Sequence, residues 1–303
     1  MAGTLVTGAS GFVGGRLLRR LSSAGAEVWG LARRPQASPP ALPAERWIRA
    51  DLRDREAVIA AVQRAAPERI FHLGALASPR ACDRAPDEAR ASNVAGTAAI
   101  LEGAQAVGAR VLLASSSQVY GRVEGHIDEH HPLDPVTVYG QTKLEAENLA
   151  RDYAARGLPV VIARPFNHSG PGQTTDYVLP ALVEQVRVAA AKGVPIRTGN
   201  LFPRRDFLHV DDVLDAYELL IERGQAGEAY NVCRGEGLTI GEALHGIQRR
   251  LGAADQRTEE DPERVRSQDP SEVVGVAAKL AALGWSPKVG LESLLDDIAK
   301  PAL

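Results

Sequence analysis

Cysteine is scarce in this chain: Cys82 and Cys233 are the only two among 303 residues. Two thiols build no disulfide framework, and a reducing compartment suits them. No apolar run reaches the roughly 18 residues of a membrane span. The first strand is expected within a few residues of Met1, and on that reading no secretory leader is expected. A cytoplasmic protein with no membrane partner is expected. An excess of either charge is also lacking, with Lys+Arg 35 against Asp+Glu 38 and a net charge of -3. Without a basic field, nucleic acid is set aside as a partner. No internal repeat or low-complexity block interrupts the chain. Its 45% hydrophobic and 24% charged residues are ordinary for a globular protein with ample core.

What is present alternates. Apolar runs at Thr4 to Thr7, Glu27 to Leu31, Ile48 to Ala50, Arg69 to Leu73, Arg110 to Ser115 and Pro159 to Ala163 read as strands. Segments of helical period separate them, among them a long helix through Asn93 to Val107 and another from Tyr139 to about Arg156. The pattern predicts a doubly wound parallel α/β sheet of Rossmann type. From Arg164 the texture changes. A helix is expected around Leu179 to Lys192, strands near Ile196 and from Asp206 to Val210, and a helix opened by Asp211. Pro35 to Pro43 and Asp255 to Glu272 read as aperiodic loops that a ligand would order. The expected division is a cofactor domain of residues 1–165 and about 204–232, and a smaller α/β substrate domain of about 166–203 and 233–303.

Gly8-x-x-Gly11-x-x-Gly14 follows a strand and opens a helix, the context of a dinucleotide fingerprint. Glycines let the backbone approach a pyrophosphate, and the helix N-terminus offers unpaired N–H groups. Ser10, Phe12 and Val13 share this turn. After the second strand stand Arg33 and Arg34, with no acid beside them. A carboxylate there would suit the ribose hydroxyl of NAD, whereas guanidinium groups match the extra phosphate of NADP. NADP(H) is favoured and NAD(H) stays possible. Asp51, Leu52, Leu73, Gly74 and Ala75 lie at strand ends, where such sheets form their ligand crevice. Asp51 could accept from an adenine amine. Asn93 sits in a helix against its propensity, which points to a local irregularity near a site.

Tyr139-x-x-x-Lys143 places a phenol and an ammonium on one helical face. A neighbouring cation favours phenolate and brings a tyrosine towards acid/base work at neutral pH. Ser115-Ser116-Ser117 supplies hydroxyls at a strand end. Asp128-Glu129-His130-His131 has metal-ligand residue types, but adjacent histidines on a loop seldom converge on one ion, so no metal is expected. Cys233 reads as a small buried apolar residue. Asp211-Asp212 reads as a helix cap with a first-turn acid.

With those motifs in order and spacing, and with Ser115-Ser116-Ser117-Gln118-Val119-Tyr120-Gly121 between them, nearly the whole chain resembles the extended short-chain dehydrogenase/reductase family. That family remodels nucleotide-activated sugars. The resemblance implies Tyr139 as acid/base and Lys143 on the nicotinamide ribose, with Ser116 bonded to the sugar oxygen. It also implies Pro165 and Asn93 beside the cofactor and Ser117 and Gln118 beside the substrate. The later part, Arg164 to Gln173, Arg205-Asp206-Phe207-Leu208 and Tyr230 to Cys233, looks like the GDP-4-keto-6-deoxy-D-mannose reductases and GDP-mannose 4,6-dehydratases. It implies Asn167, Arg205 and Arg266 on a nucleotide-sugar diphosphate. Likeness also implies a homodimer through the helices after Asn93 and from Tyr139.

One position departs from the dehydratases, which carry a glutamate before the Val-Tyr-Gly turn. Here it is Gln118, whose carboxamide cannot take or return a proton at neutral pH. Reduction of the 4-keto group of a GDP-linked 6-deoxy sugar is therefore expected, with the substrate between the two domains. A 4-epimerase, a 4,6-dehydratase and a non-catalytic NADP sensor are the alternatives.

Overall fold

The computed structural model describes residues 3–34, 42–262 and 269–300. Most of the expected Pro35 to Pro43 loop, and Arg266, lie outside them. The chain divides into two units: Met1–Gly121 with Pro132–Pro165 and Leu214–Tyr230, and Arg122–His131 with Phe166–Val213 and Asn231–Leu303.

The first unit is built on a seven-stranded sheet. From one edge, its strands are Ala229–Val232, Val160–Pro165, Arg110–Ala114, Arg69–His72, Thr4–Thr7, Val28–Ala32 and Trp47–Arg49. Strand after strand is apolar and buried on both faces, which is why the sequence reads as continuous runs and not as alternation. Register sets the site: Thr7 lies opposite Leu31 and His72, and His72 opposite Leu113. The carboxyl ends of four neighbouring strands thus finish level. The strand order reverses beside Thr4–Thr7, where open sheets of this kind take their ligands. Leu5, Ile70, Val111, Leu113, Val160 and Ile162 form the core with the Arg55–Ala65 and Gly96–Val107 helices.

The expected long helix through Asn93 is present from Pro86 to Val107, with a change of hydrogen-bond register inside it and a separate short helix before it. Helices Pro79–Arg84 and Pro86–Arg90 are each started by a proline, and Ala91–Ala95 forms a π-helical turn before Gly96–Val107. A π turn widens the helix by one residue per turn and is frequent at functional sites.

The second unit carries a sheet in which Arg204–His209 pairs with Asn167–Ser169, Gly237–Thr239 and Glu272–Gly275, and the last of these with Gly125–Ile127. Its core joins the Val178–Lys192, Ile240–Arg250 and Leu291–Ala299 helices around Leu182, Phe207, Leu244 and Leu295. The domain boundary expected at about 204 is corrected here. Arg204–His209 pairs with strands of this unit, so its backbone bonds assign it there, together with Arg122–His131. Asp255 to Glu272, expected without structure, contains the strand Thr258–Glu260, which pairs with Ile196–Thr198. Among the described residues no helix is long and apolar enough to cross a membrane.

Candidate active site

The glycine turn follows Thr7 directly. Gly8 has φ +65°, and a Cβ there would lie 2.8 Å from the Gly74 Cα, so the residue must be glycine on two counts. A methyl on Gly14 would run into the Gly8 carbonyl. Gly11 is the N-cap of the Phe12–Ser23 helix, has no side chain to cap it, and no acid lies in the first turn. With neither a capping side chain nor a first-turn acid, this helix start fits a pyrophosphate held by backbone N–H groups. Ser10, Phe12 and Val13 are half-buried on the same turn.

Arg33 and Arg34 are exposed at the end of Val28–Ala32. Arg33 Nη1 lies 3.8 Å from Glu88 Oε1, which also accepts from Arg53 Nη1 at 3.0 Å. Asp51 is engaged more fully than its motif suggests. Arg53 donates to it through Nε at 3.0 Å and Nη2 at 2.7 Å, and these bonds hold its carboxyl below the usual range. Sequence reasoning passed over Arg53. Leu52, Leu73 and Ala75 are half-buried, whereas Gly74 and Pro165 are buried.

Beneath these loops runs a chain of buried hydrogen bonds. Gly74 N–H donates to Thr7 Oγ1 at 3.0 Å, and that hydroxyl donates to His72 Nδ1 at 2.7 Å. His72 Nε2 meets Thr97 Oγ1 at 3.0 Å, and Thr97 donates to the Asn93 carbonyl at 2.6 Å. With Thr97 using its own proton on Asn93, His72 carries a hydrogen on Nε2, and the neutral ring leaves Nδ1 to accept from Thr7. Burial, aided by the Lys143 charge, pushes its pKa down to about 3. Asn93 is buried in the π turn. Its side chain accepts from Leu76 N at 2.7 Å and donates to the Leu76 carbonyl at 3.2 Å and Thr142 Oγ1 at 3.0 Å. The irregularity expected around Asn93 is therefore this turn.

The Val138–Ala155 helix is capped by Thr137, whose hydroxyl accepts from Gly140 N at 3.0 Å and donates to Gln118 Oε1 at 3.0 Å. Tyr139 is half-buried at its start, not walled into the core. Lys143 is buried, its Nζ 5.8 Å from the centre of the Tyr139 ring and donating to the Ala114 carbonyl at 2.7 Å. Burial lowers its pKa to about 8, against the opposing pull of Cys82 and Glu147. Ser116 is buried, caps the Ser117–Tyr120 turn and accepts from Gln118 N at 3.2 Å. Ser117 and Gln118 are half-buried beside it. A phenol with an adjoining ammonium is an arrangement that can serve as an acid/base pair towards a carbonyl or alcohol.

In the second unit Asn167 is exposed and donates to the Asp206 carbonyl at 3.2 Å. Arg205 donates to Asp269 at 2.7 Å and to the Arg204 carbonyl at 2.9 Å. Asp206 is fully buried, and burial pushes its pKa up to about 6 even though it accepts from Arg234 N and Gly235 N at 2.8 Å and Gly275 N at 3.3 Å. Asp211 and Asp212 are the expected first-turn acids of the Val210–Arg223 helix, but both lie inside it, so neither is its cap, and Asp212 does not stay a surface acid. Its carboxylate instead latches Lys288 N at 2.9 Å and Val289 N at 3.1 Å. Glu129 accepts from Asn231 N at 2.7 Å, and Asp128 from His130 N at 2.9 Å. Among the described residues no group of three His, Cys, Asp or Glu could hold a metal ion.

Residues 4–233 match the family model described as the NAD dependent epimerase/dehydratase family. The chain belongs to that family. It is an enzyme of the extended short-chain dehydrogenase/reductase type. Within this family it is 31% identical to a GDP-6-deoxy-D-mannose reductase of Pseudomonas aeruginosa, over 96% of this chain and 93% of that one. The solved structure of RMD from Pseudomonas aeruginosa complexed with NADPH superposes with TM-score 0.83 at 29% identity, covering 99% and 96% of the two chains. The Thermus thermophilus UDP-glucose 4-epimerase, solved with NAD, gives TM-score 0.86 at 29% identity over 98% and 97%.

Proposed function

We propose that this enzyme reduces the 4-keto group of a nucleotide-activated 6-deoxy sugar with NADPH, converting GDP-4-keto-6-deoxy-D-mannose to GDP-D-rhamnose. The observation that carries this reading is Gln118. Its side-chain oxygen is taken up by the Thr137 hydroxyl at 3.0 Å, and its carboxamide has no proton to exchange at neutral pH. Elimination of water needs an acid/base group at this position, whereas hydride reduction of a ketone does not. Similarity to the GDP-6-deoxy-D-mannose reductase supports the same substrate class.

When bound, the reduced nicotinamide supplies hydride to the carbonyl carbon. Tyr139 donates the proton to the carbonyl oxygen, Ser116 donates a hydrogen bond to that oxygen, and the Lys143 ammonium stabilises the phenolate left behind. Gly8, Ser10, Gly11, Phe12, Val13 and Gly14 would hold the pyrophosphate, and Arg33 and Arg34 the 2′-phosphate. Asp51 and Leu52 would border the adenine. Leu73, Gly74, Ala75, Asn93 and Pro165 would line the rest of the cofactor. Ser117, Gln118, Asn167, Arg205 and Arg266 would meet the nucleotide sugar, the last three through its diphosphate, so the second unit is read as the sugar-nucleotide domain. A homodimer through the Gly96–Val107 and Val138–Ala155 helices belongs to the same reading.

A 4-epimerase is the second reading, supported by the likeness to the Thermus thermophilus enzyme solved with NAD. The purified protein mixed with NADPH and GDP-4-keto-6-deoxymannose separates them. Stoichiometric loss of NADPH absorbance supports reduction. Tightly retained NAD with no net oxidation turns the assignment to epimerisation. Bound cofactor with no turnover of any keto-sugar leaves a sensor.

A further inference from the structure

Under the serine turn lies a buried ion pair that the proposed chemistry does not use. Glu147 and Arg164 have side-chain exposures of 0% and 2%. Arg164 donates Nε to Oε1 at 2.9 Å and Nη2 to Oε2 at 2.7 Å, and Arg151 reaches Oε2 at 2.8 Å from the rim. Burial opposes the charge on Glu147, yet these bonds hold its carboxyl below the usual range. Desolvating two such groups is costly enough that an apolar pair of similar volume is often as stable or more so. Stability alone therefore does not account for the pair, and its remaining contacts do.

Glu147 Oε1 accepts from Ser115 Oγ at 2.6 Å. Arg164 Nη1 donates to the Tyr120 hydroxyl at 3.0 Å, and its guanidinium lies 5.0 Å from the centre of the Tyr120 ring. Ser115 and Tyr120 bracket the turn that begins at Ser116. One rigid pair thus grips that turn at both ends. A third tether reaches the same strand end from the same helix, because Lys143, one turn before Glu147, holds the Ala114 carbonyl.

We propose that Glu147 and Arg164 form a positioning pair that sets where the Ser116 hydroxyl points. The inference rests on the reading of Ser116 as the donor to the substrate carbonyl. A hydroxyl displaced by about 1 Å forfeits on the order of 100-fold in rate. A turn anchored at both ends prevents that displacement without touching substrate.

Ser115→Ala and Tyr120→Phe each cut one link while leaving the ion pair intact, so neither strands a buried charge. In the full-length enzyme each is expected to lower kcat about 10-fold and the double variant about 100-fold. The dissociation constant for NADPH should stay unchanged, and the isotope effect with deuterated NADPH should rise. Without any substrate, amide exchange across residues 116–121 should quicken in Ser115→Ala, while residues 8–14 keep their wild-type rates. Ser116→Ala is measured alongside. If it too loses kcat while Ser115→Ala and Tyr120→Phe retain wild-type kcat and exchange, the positioning pair is wrong. A fall in thermal stability with kcat unchanged also overturns it. If Ser116→Ala is inert, the donor reading fails, and the exchange rates alone decide whether the pair orders the turn.

Discussion

Asn93 and Thr142 stand 49 residues apart in the chain and 3.0 Å apart in space, the asparagine amide donating to the threonine hydroxyl. Thr142 in turn donates to the Tyr139 carbonyl at 2.9 Å. The π turn is thus bonded to the first turn of the helix that presents the phenol, and through Leu76 to the loop after the fourth strand.

Asn93→Ala removes the donors and acceptor that serve Leu76 and Thr142 and leaves buried groups unpaired. Each such loss costs about 1–3 kcal/mol. A destabilisation of roughly 2–4 kcal/mol is expected from the shift in urea midpoint. A midpoint within error of wild type would mean that the turn is held by packing alone.

Tyr139→Phe keeps the ring and removes the proton. Turnover of a keto-sugar should fall on the order of 100-fold to 10,000-fold, with NADPH affinity unchanged. In the wild type, Lys143 supports the phenolate only as the ammonium. Its pKa of about 8 therefore predicts a high-pH limb of kcat near that value, before substrate binding perturbs it. A profile flat to pH ~10 would remove the lysine from this role.

His72 makes stability depend on pH with a definite sign. Its folded pKa, about 3, lies below the ordinary 6.5, so the unfolded chain binds more protons between these values. Its contribution is complete above pH 6.5 and is lost as pH falls towards 3. One proton changes the slope by at most about 1.4 kcal/mol per pH unit. Asp206 acts in the opposite sense, because its folded pKa is raised to about 6 and its contribution is lost as pH rises through that value. The difference between wild type and His72→Gln isolates the histidine. That difference in unfolding free energy should narrow from pH 6.5 downwards; a constant gap would contradict the neutral assignment.

Arg33→Ala tests the cofactor. Charge-assisted bonds to phosphate are worth about 1.5–3 kcal/mol, so NADPH affinity should fall roughly 10-fold to 100-fold while NADH affinity moves little. Equal losses for both would place Arg33 away from the 2′-phosphate. Arg53, which shares Glu88 with it, is the companion variant.

The motifs of the candidate site are legible in the sequence because they are local. Glycine spacing, the tyrosine and lysine one turn apart, and the serines at a strand end each describe a geometry set within a few residues. Asn93 was legible as an anomaly but not by its partners. Arg164 could have been found too, since a charge inside the apolar Val160–Pro165 strand demands a buried counter-charge, and Glu147 follows Lys143 at helical spacing. Thr7, His72 and Thr97 gave no such signal, because each residue type is ordinary in the interior of a sheet or helix. The domain boundary was misplaced for a related reason. The buried stretch from Asp206 to His209 reads as a strand that either sheet could hold, and only hydrogen-bond partners distinguish them.

Residue order alone settles the alternation of strand and helix, the backbone freedom of the phosphate turn, and which side chains share the face of the tyrosine helix, since each depends on neighbours within about one turn. Packing decides the rest. The level strand ends, the neutral tautomer of His72 and the grip of Glu147 and Arg164 on the serine turn arise from groups 17 to 65 residues apart. Their protonation and orientation follow from burial and from one another, which no stretch of sequence contains.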